Sequence, residues 1–446
     1  MNIFKNYDTA THTPSSSQLS RRQTQKDPDG TRFTARHETT SQEQPLSFAY
    51  CLFPVHYSPF PKMTIIETRG VWLTTTDSEV LRSQERIASA MDFLAETGFN
   101  VVFPVVWGKG ATLYPSQVMQ QTFGIEIDPS FFGRDPLAEV VAAGRRVGLK
   151  VIPWFEYGFA SSYNMNGGQL LAKKPEWAAR DCKGNLLKKN GFEWLNSLNP
   201  EVQNFMLSLI LEVARNYEVD GIQGDDRLPA LPCEGGYDQI TVERYRQQVG
   251  KNPPQNYKDY QWLKWRADIL TEFLARLYQS VKAINPNLIV SMAPNIPGWG
   301  FQEYLQDSQT WLERGLVDIL HPQIYRRNIF SYRCTLEQLL HKELAGIELA
   351  RLVPGILMKI GSYQISGNEL VQAIEFNRAC GISGEVFFFY EGLRENNNAL
   401  AKVLQRGPYA QSATFPSVAD LNRLSENRIG LSSILQRLIR LFHTIF

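Results

Sequence analysis

Asp220 to Arg227 reads DGIQGDDR, and no other stretch limits the possible folds as strongly. Gly221 and Ile222 are strand-like and apolar, as expected of a parallel strand covered on both faces. The run then ends in two adjacent carboxylates and an arginine. Carboxylates at the tip of a buried strand are costly to desolvate unless they are paired, hydrogen-bonded or open to a cleft. At the C-terminal end of a parallel strand in an α/β barrel, such residues read as catalytic. The plainer alternative is an Asp226–Arg227 ion pair on a loop, or one aspartate capping the next helix.

Strand and helix patterns alternate from Met63 onward. Arg69–Leu73, Asn100–Trp107, Lys150–Tyr157, Asp220–Asp226, Leu288–Ala293, Val317–Tyr325, Leu352–Ile360 and Glu385–Tyr390 read as strands. Helical patterns fall between them at Ser83–Thr97, Asp135–Val147, Pro200–Tyr217, Trp262–Ile284, Phe301–Arg314, Thr335–Ala350 and Gly367–Cys380, with a last helix from near Asn396. Asp135 and Pro136 form an N-cap and N1 pair, and Gly315, Gly381 and, less tightly, Gly355 close helices. This cadence predicts a parallel sheet, and eight strands predict an α/β fold of the (β/α)8 TIM-barrel type. No Gly-x-Gly-x-x-Gly follows the first strand, which argues against a dinucleotide fold.

Composition narrows the function. Lys plus Arg number 46 against 45 Asp plus Glu, a net charge of +1 without the basic stripe that nucleic acid demands. The five cysteines are odd in number and widely spaced, which favours free thiols over a disulfide framework. No His-x-His or His-Glu-x-x-His occurs, so no metal or other cofactor is expected. No apolar run is long enough to cross a bilayer. Residues 1–62 form a polar arm of disorder-like composition without the pattern of an export signal, so a cytoplasmic location is expected. Residues 63–406 are the expected barrel. Residues 407–446 read as a linker and an amphipathic C-terminal helix, which fits docking on the barrel, a membrane surface or a subunit interface.

The C-terminal tips of barrel strands converge on one face. Here they carry Trp72 and Asp77, Trp107 and Tyr114, Trp154 and Glu156, Asp225 with Asp226 and Arg227, Asn295 and Trp299, Gln323 with Tyr325 and Arg326, Lys359, and Tyr390 with Glu391. Carboxylates among aromatics, without metal ligands, suit glycosidic bond cleavage, in which one carboxylic acid protonates the leaving oxygen and a second carboxylate attends the oxocarbenium-like centre. The candidate catalytic groups are Asp225 or Asp226 with Glu156 or Glu391. Trp72, Trp107, Tyr114, Trp154, Arg227, Asn295, Gln323 and Tyr325 are candidates for holding an oligosaccharide or polysaccharide. Strand alternation pairs Gln223 with Asp225 on one face and turns Asp226 toward the loop, which favours Asp225 as the inward carboxylate. The competing class is a barrel that binds a glycan or a protein without cleaving it.

Several stretches resemble the bacterial glycosyl-hydrolase-like ten domain family. They are ETRGVWL (67–73), LYPS (113–116), DPLAEVV (135–141), VIPWFEYGF (151–159), VDGIQGDDR (219–227), GYDQIT (236–241), WLKWRADILTEFL (262–274), LQDSQTW (305–311) and GLVDILHPQIYR (315–326). FFFYEGL (387–393) is similar to the cyanobacterial branch. The resemblance implies a glycosidase-like barrel, related to an enzyme acting on peptidoglycan strands that lack stem peptides. Gly224 departs from the pattern, because family members often carry phenylalanine or another bulky residue there.

Overall fold

The computed structural model describes residues 65–346 and 348–424. The N-terminal arm and the apolar stripe from Ile429 onward lie outside the described residues. The mixed α/β architecture with parallel strands agrees with the sequence reading. One sheet runs in the order Gln323–Ile324, Gly355–Leu357, Gly384–Phe388, Thr68–Leu73, Val101–Pro104, Lys150–Val151. The other runs Ile319–Leu320, Ile289–Met292, Gly221–Gly224, Trp154–Phe155. Every neighbouring pair within these two sheets is parallel.

Two prolines divide strands that the sequence reads as continuous. Proline cannot donate to a ladder, and Pro153 and Pro322 split the third and sixth strands into pieces that belong to different sheets. Hydrogen bonds nevertheless continue across both breaks. Val106 N–H donates to the Trp154 carbonyl at 2.9 Å, and Val353 N–H donates to that of Leu320 at 2.9 Å. The strands are largely apolar, and Thr68–Leu73 is buried at all six positions, as parallel sheets buried on both faces require.

Capping residues set the helices that follow. Ser83 caps Gln84–Thr97 and Asp135 caps Pro136–Val147, each through a side-chain oxygen that accepts a backbone N–H. Two segments differ from expectation. The single helix read over Phe301–Arg314 is two, Pro297–Tyr304 and Ser308–Glu313, because Leu305 turns left-handed at φ +59° and Asp307 starts a new cap. The helix read from Thr335 begins earlier, at Ile329, where Asn328 caps it, and it loosens into one wide turn at Leu339–Glu343. Gly355, expected to close that helix, lies in a strand. The packed fold also continues beyond residue 406. Ala413–Thr414 pairs in parallel with Ile65–Ile66, and Tyr409, Phe415 and Leu421 are buried.

A buried charged cluster sits at the N-terminal ends of two adjacent strands. Arg69 and Arg378 both contact Glu67, with Nε to carboxylate distances of 2.8 Å. Glu385 stands opposite Arg69 in the register, yet it forms no ion pair among the described residues. Its Oε1 accepts the Tyr409 hydroxyl at 2.7 Å, and its Oε2 has no partner among the described residues. Burial, helped by the Glu67 charge, pushes the Glu385 pKa up to about 7. Below its ordinary 4.5 the group is protonated in folded and unfolded chains alike. Between 4.5 and 7 the folded chain holds the extra proton, so this contribution to stability declines as pH rises through that window. Glu385→Gln cannot ionise and still accepts the tyrosine hydroxyl. Its stability relative to wild type should rise by about 1–3 kcal/mol between pH 4.5 and pH 8 in urea unfolding. A pH-independent difference would show that Glu385 is compensated in the folded chain.

Candidate active site

Immediately beyond Gly224 the chain turns. Leu228 N–H donates to the Asp225 carbonyl at 3.0 Å, which closes a tight turn over Asp225, Asp226 and Arg227. That turn overrides strand alternation. Asp225 and Asp226 both line the cleft, whereas alternation had sent Asp226 to the loop. The turn depends on glycine, since a Cβ on Gly224 would stand 2.5 Å from Met292 Sδ and 2.7 Å from the Leu228 carbonyl oxygen. The family's usual bulky residue has no room here.

The cleft is open to solvent. Its lining comprises Thr74, Thr76, Asp77, Trp154, Glu156, Tyr157, Phe192, Asp225, Asp226, Arg227, Gln323, Tyr325, Ile360, Phe388 and Phe389. Arg227 organises the polar side. Its Nη2 donates to Asp225 Oδ2 at 2.7 Å, its Nη1 lies 2.9 Å from Asp226 Oδ1, and its Nε donates to the Glu156 backbone carbonyl at 3.0 Å. The Asp226 contact is an ion pair without an aligned N–H, for Oδ1 has no hydrogen-bond partner among the described residues. The guanidinium also lies over the Phe192 ring at 4.6 Å. Gln323 Nε2 donates to the other Asp225 oxygen at 2.7 Å and to the Ala293 carbonyl at 2.9 Å.

Electrostatics separate these carboxyls from ordinary surface acids. Burial raises the pKa of Asp225 well above the usual carboxylate range; the adjacent Asp226 charge raises it further, and Arg227 opposes. Burial also raises Glu156, against the pull of Arg227 and Lys109. No hydrogen bond to the Glu156 carboxyl is found among the described residues. Arg227 is desolvated too, but the three carboxyls more than compensate and hold it cationic. Asp225 is buried and Glu156 half-buried, and with Arg227 as their nearest cation both hold a proton more readily than surface acids do.

The structure brings together seven of the twelve candidate catalytic and sugar-holding residues, Trp154, Glu156, Asp225, Asp226, Arg227, Gln323 and Tyr325, and Asp77 from the first strand tip joins them. Trp72 lies beneath them, fully buried, with its Nε1 donating to Gln223 Oε1 at 2.6 Å. The others do not line this cleft. Trp107 leaves its strand for a hairpin and donates to the Gly158 carbonyl. Tyr114 donates to the Leu209 carbonyl among helices, and Asn295 bonds to Gln306. Glu391 accepts from Ser78 Oγ at 2.7 Å and faces a separate shallow cavity with Glu79, Arg86 and Arg394. Sequence reasoning missed Phe192 and Tyr157. Asn190-Gly191 was the available signal for Phe192: both residues have positive φ, +53° and +87°, and make a two-residue hairpin that carries Phe192 to the cleft.

Cys233, Glu234 and Glu303 form the group among the described residues whose spacing suits a metal ion. A cation of the chain already stands among them. Lys189 Nζ contacts Glu303 at 2.7 Å, Glu234 at 3.0 Å and Cys233 Sγ at 3.9 Å.

The parallel-strand architecture is that of a glycoside-hydrolase-like fold. The glycosyl hydrolase-like 10 family model matches residues 67–374, and the chain belongs to that family. Glycosyl hydrolase DigH of Escherichia coli is 25% identical over 300 residues, covering 58% of this chain and 65% of DigH. Glycosyl hydrolase YngK of Bacillus subtilis is 21% identical over 415 residues, covering 82% of this chain and 77% of YngK. Among solved structures, the glycoside hydrolase domain of PgaB (BpsB) from Bordetella bronchiseptica is similar in fold. Its TM-score is 0.56 at 14% identity, over 76% of this chain and 99% of that one. An α-L-fucosidase from Paenibacillus thiaminolyticus gives 0.53 at 18% identity, over 77% and 49%.

The close approach at Gly224 is testable. Gly224→Ala should cost about 1–3 kcal/mol, because the methyl group forces the Leu228 carbonyl outward. Thermal unfolding reads the cost, and an unchanged melting temperature would show that the turn yields freely.

Proposed function

We propose that the chain hydrolyses O-glycosidic bonds in a glycan, on a closed (β/α)8 barrel whose mouth is the cleft around Arg227. The observation that carries this reading is the grouping of Asp225, Asp226 and Glu156 about one guanidinium between aromatic walls. For barrel closure, the support is the parallel bridging of Val105 to Trp154 and of Leu320 to Leu352, which links the two sheets on both sides.

In this mechanism Glu156 is the general acid. Gln323 and Arg227 donate to both Asp225 oxygens and favour its ionised form, whereas the Glu156 carboxyl has no N–H donor among the described residues and is the group free to protonate the leaving oxygen. Asp225 faces the anomeric carbon as the carboxylate, oriented through separate oxygens by Gln323 and Arg227. As positive charge develops on the sugar, the ionised Asp225 stabilises it. Trp154, Tyr157, Phe192 and Tyr325 offer flat apolar faces for sugar rings. Asp226 holds the other arm of Arg227 and keeps the fork in place. Peptidoglycan strands stripped of stem peptides are the first substrate to test. For a chain that stays in the cytoplasm, a storage glucan or a recycled wall fragment fits the same chemistry.

Incubating the purified full chain with stripped peptidoglycan strands and with α- and β-glucans should release reducing ends from one of them. Binding without release from any would favour a glycan-binding barrel. Asp225→Asn and Glu156→Gln should each lower turnover about a thousandfold or more, with sugar affinity and melting temperature nearly unchanged. Full activity in both variants would remove these residues from the chemistry.

The pH profile follows from two raised carboxyls. Asp225 must lose its proton to act and Glu156 must keep one, so both limbs of kcat/KM should lie above the range of ordinary carboxylates. Arg227→Met removes the cation that opposes protonation of Asp225, and the acidic limb should move to higher pH. An acidic limb unmoved in that variant would assign it to another group.

A further inference from the structure

We propose a distal sugar subsite on Trp299, outside the cleft, that grips one more ring of a polymeric glycan; this rests on the glycan-hydrolase reading above. Of the nine tryptophans, Trp299 alone is exposed, at 37%, while the other eight are buried or half-buried. Trp299 lies on Pro297–Tyr304, the helix that follows the Ile289–Met292 strand at its C-terminal end. Gly298 departs from helical geometry just before it.

Three sets of bonds fix this helix to the carboxylate turn. Leu231 N–H donates to the Tyr304 carbonyl at 3.1 Å and Cys233 N–H to that of Glu303 at 2.9 Å. Gln306, just past the helix, donates to the Asp225 carbonyl at 3.4 Å. Behind Trp299 stands the buried Tyr304, with ring centroids 5.5 Å apart, and the Tyr304 hydroxyl accepts from Asn190 Nδ2 at 3.0 Å. Burial raises the Tyr304 phenol pKa; Lys189 lowers it, Asp226 raises it and Arg227 lowers it, so this ring lies within electrostatic reach of the site. Neither Trp299 nor Tyr304 lines the cleft. The exposed indole is therefore backed by a rigid aromatic and held at a fixed offset from the reacting carboxyls. Such a surface suits the apolar face of a pyranose. A chain long enough to reach it would gain affinity, and a short one would not.

The test uses the full chain and stripped peptidoglycan strands fractionated into short and long pools, with malto-oligosaccharides treated in parallel. Binding is followed by tryptophan fluorescence in the Asp225→Asn background, and cleavage in the otherwise unaltered chain. Trp299→Ala should weaken binding and lower kcat/KM about tenfold for the long pool. Short-pool values should stay within about twofold, and Trp299→Phe should recover most of the loss. Equal losses on both pools, or no loss on the long pool, overturn the subsite while leaving the hydrolase reading intact. Length-dependent binding through Trp299 without cleavage would keep the subsite and overturn hydrolysis. A chain that binds neither pool and no malto-oligosaccharide removes both.

Discussion

One guanidinium paired with two carboxyls and tied to the backbone of a third acid is the interaction on which the candidate site depends. Arg227 reaches Asp225 and Asp226 through its two terminal nitrogens and the Glu156 backbone through Nε. A lysine could supply the charge but not this planar fork, which fixes three directions at once. Because Nε takes the backbone of Glu156, the carboxyl of that residue is left without a cationic partner. The same side chain thus orients two carboxyls and leaves the third available for proton chemistry.

Steric economy makes this arrangement possible. Gly224 lets the chain fold back within one residue of the strand end, with Leu228 crossing where a side chain would otherwise stand. Three consecutive polar residues then point into one cleft, which a continuing strand cannot do because its side chains alternate. The adjacent third strand supplies Trp154 and Glu156, and the sixth strand, beyond Ile289–Met292, supplies Gln323 and Tyr325. Pro153 and Pro322 interrupt those two strands just before they contribute to the site.

The sequence shows the parallel α/β order clearly, because each strand is apolar on both faces and most helices carry a capping residue at the start. It also shows the cleft carboxyls, since acids at strand tips have few structural uses. Trp107, Tyr114 and Asn295 were misread for a common reason. Their strands end earlier than the apolar pattern does, and the chain then follows hairpin or helix geometry that a strand-tip argument ignores. Glu391 was misread differently: it follows the last strand, but it turns to Ser78 and an adjacent cavity. Phe192 was invisible to any strand-tip argument because it arrives on a hairpin from the long excursion after the third strand. Only Asn190-Gly191 pointed there.

Charge balance at the two ends of the strands separates structure from chemistry. At the N-terminal end, Arg69 and Arg378 both pair with Glu67, and Glu385 beside them has only a tyrosine hydroxyl. At the C-terminal end, three carboxyls lie near one cation. Both clusters are buried, and both raise a carboxyl pKa mainly through desolvation. They differ in where the cost falls. The N-terminal cluster is packed beneath Tyr409, and its imbalance reaches only one carboxyl whose protonation the fold can tolerate. The C-terminal cluster opens on a cleft, where a developing positive charge would complete the missing balance. In the proposed reaction Glu156 keeps a proton, two carboxylates then face one cation, and an oxocarbenium-like sugar would supply the missing positive charge.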